Sequence, residues 1–118
     1  MATLRSPETQ KKYDEWKVAH SRNGRCVLCD REPVTPFTYW KIIHNDFPYD
    51  SVTQKHDMLV TLRHVVGTEL NNEEKEEFEQ IKKTYLGKHY ESVLESLQSV
   101  MTIPSHFHLH LFSLKDDL

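Results

Sequence analysis

The sequence predicts an α+β domain built on an antiparallel sheet. The run His106-Phe107-His108-Leu109-His110-Leu111-Phe112 alternates histidine with large apolar residues at a strict period of two, the pattern of a strand with two chemically different faces. A helix opens at Asn71-Asn72-Glu73-Glu74, and strand-like segments lie on both sides of it in the chain. There is no regular βαβ alternation, so the strands are expected to pair antiparallel with the helix packed against them. At 118 residues the chain makes a single domain.

Taken in order, Ser6-Pro7-Glu8 reads as an N-cap, a proline at the first helical position and an acidic first turn. This helix is expected to run to about residue 21, with Tyr13, Trp16 and Ala19 as a thin apolar stripe, and to dock as an accessory element. Residues 26–36 form a loop. Residues 37–43 are aromatic and β-branched and read as a strand, followed by turn chemistry at Asn45-Asp46-Phe47-Pro48. Residues 56–62 read as a second, central strand. In the helix from Asn71, the residues Phe78, Ile81, Tyr85 and Leu86 form the buried face, and Gly87 is expected to end it. Residues 90–97 are ambiguous between helix and strand. A strand is preferred because Gly87 intervenes and a turn at Pro104 would let it pair with the histidine strand.

Composition narrows the function classes. The 15 basic and 18 acidic residues leave a mildly acidic chain with no basic run longer than a pair, a poor match for non-specific nucleic-acid binding. Residues 1–5 carry no apolar leader and no stretch approaches a membrane span, so a cytoplasmic location is expected, with no membrane partner.

The chemistry is expected at the histidine row. Neutral imidazole, with an ordinary pKa of about 6.5, is a competent nucleophile once a hydrogen bond at one ring nitrogen fixes the tautomer. His108 is flanked on both sides and is the natural nucleophile, with His106 and His110 in support. A second reading is a mononuclear zinc hydrolase, in which the three imidazoles hold the metal and leave a position for water. Cys26-Val27-Leu28-Cys29 supports a zinc knuckle completed by two of the eight histidines, because the surrounding pattern is not that of a redox CxxC.

The row also matches the motif of the histidine triad family, His-φ-His-φ-His-φ-φ with φ apolar, and other segments agree in order. Ile42-Ile43-His44-Asn45-Asp46-Phe47-Pro48-Tyr49 resembles the family's strand and turn beside the nucleoside. Residues 56–65, beginning with His56 and closing in Arg63-His64, resemble its next strand, and the helix from Asn71 follows. The resemblance covers roughly residues 26–114, with residues 1–25 as an added helix. It implies a five-stranded antiparallel sheet and a homodimer. It also implies nucleotide substrates substituted on the α-phosphate, hydrolysed or transferred through a nucleotidyl-histidine, in the manner of a phosphoramidase or a dinucleoside polyphosphate hydrolase. By motif position His108 is the nucleophile, His110 and His56 lie near the phosphate and leaving group, and Asn45 bonds the ribose. Cys26, Cys29, His64 and His106 would hold a structural zinc, which gives His106 a structural role.

Two departures stand out. Many family members carry Gly-Gln and a Ser or Thr before the triad; here the segment is Val100-Met101-Thr102-Ile103-Pro104-Ser105, in which Thr102 and Ser105 are the candidate phosphate contacts and the glutamine is missing. An asparagine of the preceding strand is replaced, with Glu95 nearest in spacing. A nucleotide-binding regulatory module with little turnover is therefore a further alternative. His20, His44 and His89 are expected at the surface. Trp16 and Trp40 are expected to pack, and Arg63 is either a phosphate clamp or solvated.

Overall fold

A computed structural model describes residues 3–20, 26–97, 103 and 105–118. Five strands form one antiparallel sheet in the order β1-β2-β3-β5-β4. They are β1 (Thr35–Pro36), β2 (Trp40–His44), β3 (Thr53–Thr61), β4 (Ser92–Leu94) and β5 (His108–Leu114). Helix α1 (Pro7–His20) precedes the sheet, and α2 (Asn72–Ile81) lies between β3 and β4 in the chain. The α+β class and the antiparallel five-stranded sheet are as expected, including a strand within residues 90–97.

The period of two in β5 sorts its side chains as the sequence requires. Phe107, Leu109 and Leu111 join Trp40, Ile42 and Leu59 on the face covered by Ile81 and Leu86 of the α2 region. The other face carries Ile43, Met58 and Val60, packed with Leu28 of the cysteine loop. Trp40 is fully buried, and its indole N–H donates to the carbonyl of Glu74 at 2.9 Å, so it packs the helix side and not the histidine side. A Cβ on Gly67 would stand 3.0 Å from the Phe107 ring; that close approach lets the turn at residues 67–69 lie against the histidine strand.

Several boundaries differ from expectation: β3 spans Thr53–Thr61 where residues 56–62 were expected, and β5 starts at His108 and runs on to Leu114. Residues 37–39 are not in β2, because the Glu77 carboxylate accepts the amide N–H groups of Thr38 and Tyr39 at 3.1 and 2.6 Å and turns the chain there. Gly87 does not end the helix. Its φ of −63° is right-handed, and α2 continues through a wide turn over Lys82–Leu86 and a last turn over Gly87–His89, until Tyr90 becomes extended. Residues 35–36, placed in a loop, pair with β2 as a two-residue strand.

Arg63 is half exposed and is tied to the start of α2. It forks onto Glu74, which also closes a capping box with Asn71 at the start of α2. Helix α1 begins as predicted. The Ser6 hydroxyl accepts from Thr9 N, and Asp50, in the β2–β3 connection, accepts from Ser6 N, Ser6 Oγ and Thr9 Oγ1 at 2.7, 3.0 and 2.5 Å. The helix therefore docks on that connection, where Tyr13 and Trp16 meet Phe47 with ring centroids 5.1 and 5.6 Å away. No helix among the described residues is long and apolar enough to cross a membrane.

Candidate functional site

All three histidines of the row are buried, at 0, 3 and 6 % exposure for His106, His108 and His110. Their hydrogen bonds assign different tautomers, and with them different tasks. His106 donates from Nε2 to the carbonyl of Thr61 at 2.8 Å, so its Nδ1 lone pair is free. That Nδ1 lies 3.3 Å from Cys26 Sγ and 3.4 Å from Cys29 Sγ, while His64 Nδ1 lies 3.3 Å from Cys29 Sγ.

The four ligand atoms of Cys26, Cys29, His64 and His106 all lie within 4.8 Å of one another. For a tetrahedral ion with sulfur at about 2.3 Å and nitrogen at about 2.1 Å, the sulfur–nitrogen edge is about 3.5 Å, close to the observed separations. The Cys29 thiol is pushed above its ordinary value by desolvation and by Cys26 beside it, so two thiolates here call for a cation between them. The donor set thus fits a metal ion, and a ligand imidazole whose other N–H is held by a backbone carbonyl is the usual second contact of such sites. The buried Lys41, not anticipated from sequence, fixes the loop by donating to the carbonyls of Cys29 and Arg31 at 3.3 and 2.9 Å.

His108 has the opposite tautomer. Its Nδ1–H donates to the carbonyl of His106 at 2.9 Å, which leaves the Nε2 lone pair uncommitted. Burial holds this imidazole below its ordinary pKa, so it is neutral at pH 7.

His110 and His56 form a relay. The amide N–H of Tyr49 donates to His56 Nδ1 at 2.9 Å, so the His56 proton sits on Nε2, 2.9 Å from His110 Nδ1. His110 then carries its own proton on Nε2, 3.4 Å from the Tyr49 hydroxyl. Burial, with the Arg5 charge, lowers His56 to about 4; burial, with neighbouring His56, His108 and Arg5, lowers His110 to about 3. Both are neutral hydrogen-bond donors at physiological pH.

A cavity of about 360 Å³ opens over His108 and His110. Val27, Leu28, Met58 and Ile103 give it apolar lining, Tyr13, Trp16 and Phe47 give it aromatic lining, and Asn45 and Arg5 also reach it. Asn45 is positioned by accepting from Phe47 N at 2.9 Å; its amide nitrogen lies 3.3 Å from His56 Nε2, a contact of position, since both atoms carry hydrogen in this tautomer.

The expected residues are brought together unequally. His108, His110 and Asn45 line the cavity, and His56 backs His110. Ser105 is exposed and does not line it, and Thr102 lies outside the described residues. Glu95 is exposed and belongs to a different surface, beside Gly67 and Phe107, so its carboxylate does not face the histidines. His44 and His89 are exposed, as expected, and the side chain of His20 lies outside the description. Sequence reasoning missed Arg5, Tyr13 and Trp16 as site residues. No local pattern marks them, because they reach the cavity only through the docking of α1.

No protein-family model matches the chain, and no curated protein matches it. The site therefore rests on its own geometry.

Proposed function

We propose that the chain is a nucleotide-binding protein of the histidine triad type that transfers or hydrolyses a nucleotidyl group through His108. The observation that carries the reading is the tautomer of His108: Nδ1–H held by a backbone carbonyl, and a free Nε2 lone pair beside a cavity of nucleotide-compatible lining. Nε2 attacks the α-phosphorus, the phosphorus–nitrogen bond forms, and the bond to the leaving group breaks with its electron pair on the departing atom. The resulting imidazolium is stabilised by its Nδ1–H bond to the His106 carbonyl. Water or an acceptor hydroxyl then attacks the phosphorus and gives up its proton to solvent, while the phosphorus–nitrogen bond breaks and its electron pair returns to Nε2 of His108. The Nε2–H of His110, oriented through His56, donates to a phosphate oxygen or to the leaving atom. Asn45 is assigned to the ribose.

The metal is proposed to be a structural zinc, since two thiolates and two imidazoles suit its tetrahedral preference and leave no position for water. A catalytic zinc on the row itself is less well supported, because His106 directs its free nitrogen to the thiols and His108 is fixed by its own backbone bond. A homodimer in a cytoplasmic setting completes the proposal. The edge strand β4 exposes Val93, and a partner would cover that edge.

Incubation with an adenosine phosphoramidate or a dinucleoside polyphosphate, quenched at alkaline pH, tests the nucleophile. An acid-labile nucleotidyl adduct is expected on the wild type and absent from His108→Ala, which keeps its metal. Wild-type turnover by His108→Ala would overturn the mechanism. Binding with neither adduct nor turnover would leave a regulatory nucleotide-binding module, and sedimentation as a monomer would remove the dimer.

A further inference from the structure

Arg5 lines the same cavity as His108 and His110, although it lies before α1 and outside the sheet. Its Nε–H donates to the carbonyl of Phe47 at 2.6 Å, and its guanidinium carbon stands 4.2 Å from the Tyr13 ring centre and 5.1 Å from that of Tyr49. Tyr49 in turn lies against His110, with ring centroids 5.1 Å apart. These contacts fix the guanidinium at the His110 end of the row, away from the end where His106 meets the two cysteines.

Among the described residues, Nε–H is the one guanidinium N–H of Arg5 that finds an acceptor. The four on Nη1 and Nη2 have no partner among the described residues, and the side chain makes no ion pair there. Arg31, the other arginine lining the cavity, is already committed: it forks onto Asp46 at 2.8 and 3.2 Å and donates to the carbonyl of His44. A guanidinium held through Nε and by ring stacking presents its Nη fork outward, in the geometry that matches two oxygens of a phosphate.

We propose that Arg5 binds a second anionic group of the substrate, a phosphate beyond the one that His108 attacks, and so selects nucleotides with a phosphate leaving group over those with a neutral amine. This rests on the nucleotide reading of the site. Two considerations agree with it. The chain carries a formal net charge of −3, so no general field draws in a polyphosphate and a local cation is needed. A phosphate leaving group also departs without taking up a proton, whereas an amine must receive one, and the neighbouring imidazoles are neutral hydrogen-bond donors.

The test is the affinity of the intact protein for adenosine and guanosine mono- and diphosphates, measured by calorimetry and independent of turnover. The wild type is expected to prefer the diphosphate by about tenfold, the scale of one added charge-assisted contact. Arg5→Gln should bring the ratio close to one. Arg5→Lys, which keeps charge but loses the fork, should retain part of it, and supplies the reading if Arg5→Gln does not fold. A wild type without the preference, or an Arg5→Gln variant that keeps it, would overturn the assignment while leaving the nucleotide site standing. Failure to bind any of the four nucleotides would overturn both.

Discussion

Arg63, just past the end of β3, closes on Glu74 at the start of α2 with Nη2 to Oε1 at 2.6 Å and Nε to Oε2 at 3.1 Å. Glu74 is 1 % exposed and also accepts the amide N–H of Asn71, so one carboxylate ties the strand end to the helix cap. Glu74→Ala removes the cap and leaves Arg63 without its partner. A loss of about 2 to 3 kcal/mol in chemical denaturation is expected, with the histidine site unchanged in nucleotide affinity.

The candidate metal group joins residues far apart in sequence, two in the cysteine loop and two next to β3 and β5. About one zinc per chain is expected by elemental analysis. Cys26→Ser and His64→Ala should each lose the metal and lower the melting temperature, and a chelator should reproduce the shift in the wild type but not in the variants. Full metal content in Cys26→Ser would remove the knuckle.

In the proposed mechanism His110 assists His108 and does not itself attack. His110→Ala should slow turnover by about a hundredfold while the nucleotidyl adduct on His108 still forms. Disappearance of the adduct in this variant, with the fold intact by circular dichroism, would reassign the attacking nitrogen.

Acid should destabilise the fold from near neutrality downward. Folded His56 and His110 sit at about 4 and about 3, below the ordinary 6.5. Above pH 6.5 neither the folded nor the unfolded chain holds these protons. Below it the unfolded chain takes them up and the folded chain does not, so stability falls until the folded values are reached. The Arg63 hydrogen bond holds Glu74 below its ordinary value, and hydrogen bonds from Ser6 and Thr9 hold Asp50 low against desolvation, so both add to the loss at the acid end. The urea midpoint should be level above pH 7 and decline by the equivalent of a few kcal/mol toward pH 4. His110→Asn should show a shallower decline, with the metal contribution common to both proteins. Parallel slopes would contradict the buried neutral relay.

Asp50 holds α1 in place through Ser6 and Thr9. Asp50→Ala should weaken nucleotide binding by about fivefold, the scale of one lost cap, by displacing the α1 side chains from the cavity. Unchanged affinity would mean that α1 is a bystander.

The sheet and the cysteine half of the candidate metal group were legible because their signals are local and periodic, whereas His64 and His106 were named through the family resemblance. The alternation in β5 names both faces at once, and the cysteine pair brings two thiols to one point through its spacing alone. Residues 37–39 misled because aromatic and β-branched propensity is weaker than a carboxylate accepting two amide groups, and Glu77 lies far along the chain. Gly87 misled because a glycine stops a helix only where a left-handed residue is required, and here the backbone stays right-handed. Arg5, Tyr13 and Trp16 were unreadable as site residues because their role depends on where α1 docks, and that is set by Asp50 in another segment.

The sheet order places β5, the last strand in the chain among those described, between β3 and β4. During synthesis neither neighbour can pair on that side until residues 108–114 have left the ribosome, so β3 waits with an open apolar edge while α2 is already able to form. The proposed nucleophile His108, its backbone acceptor at His106 and the imidazole of His106 in the candidate metal group then arrive together in a single short segment. The nascent chain is therefore expected to gain an interior strand of its sheet and these groups in one late step, and a ribosome-bound chain halted before His106 should bind chaperone but neither metal nor nucleotide.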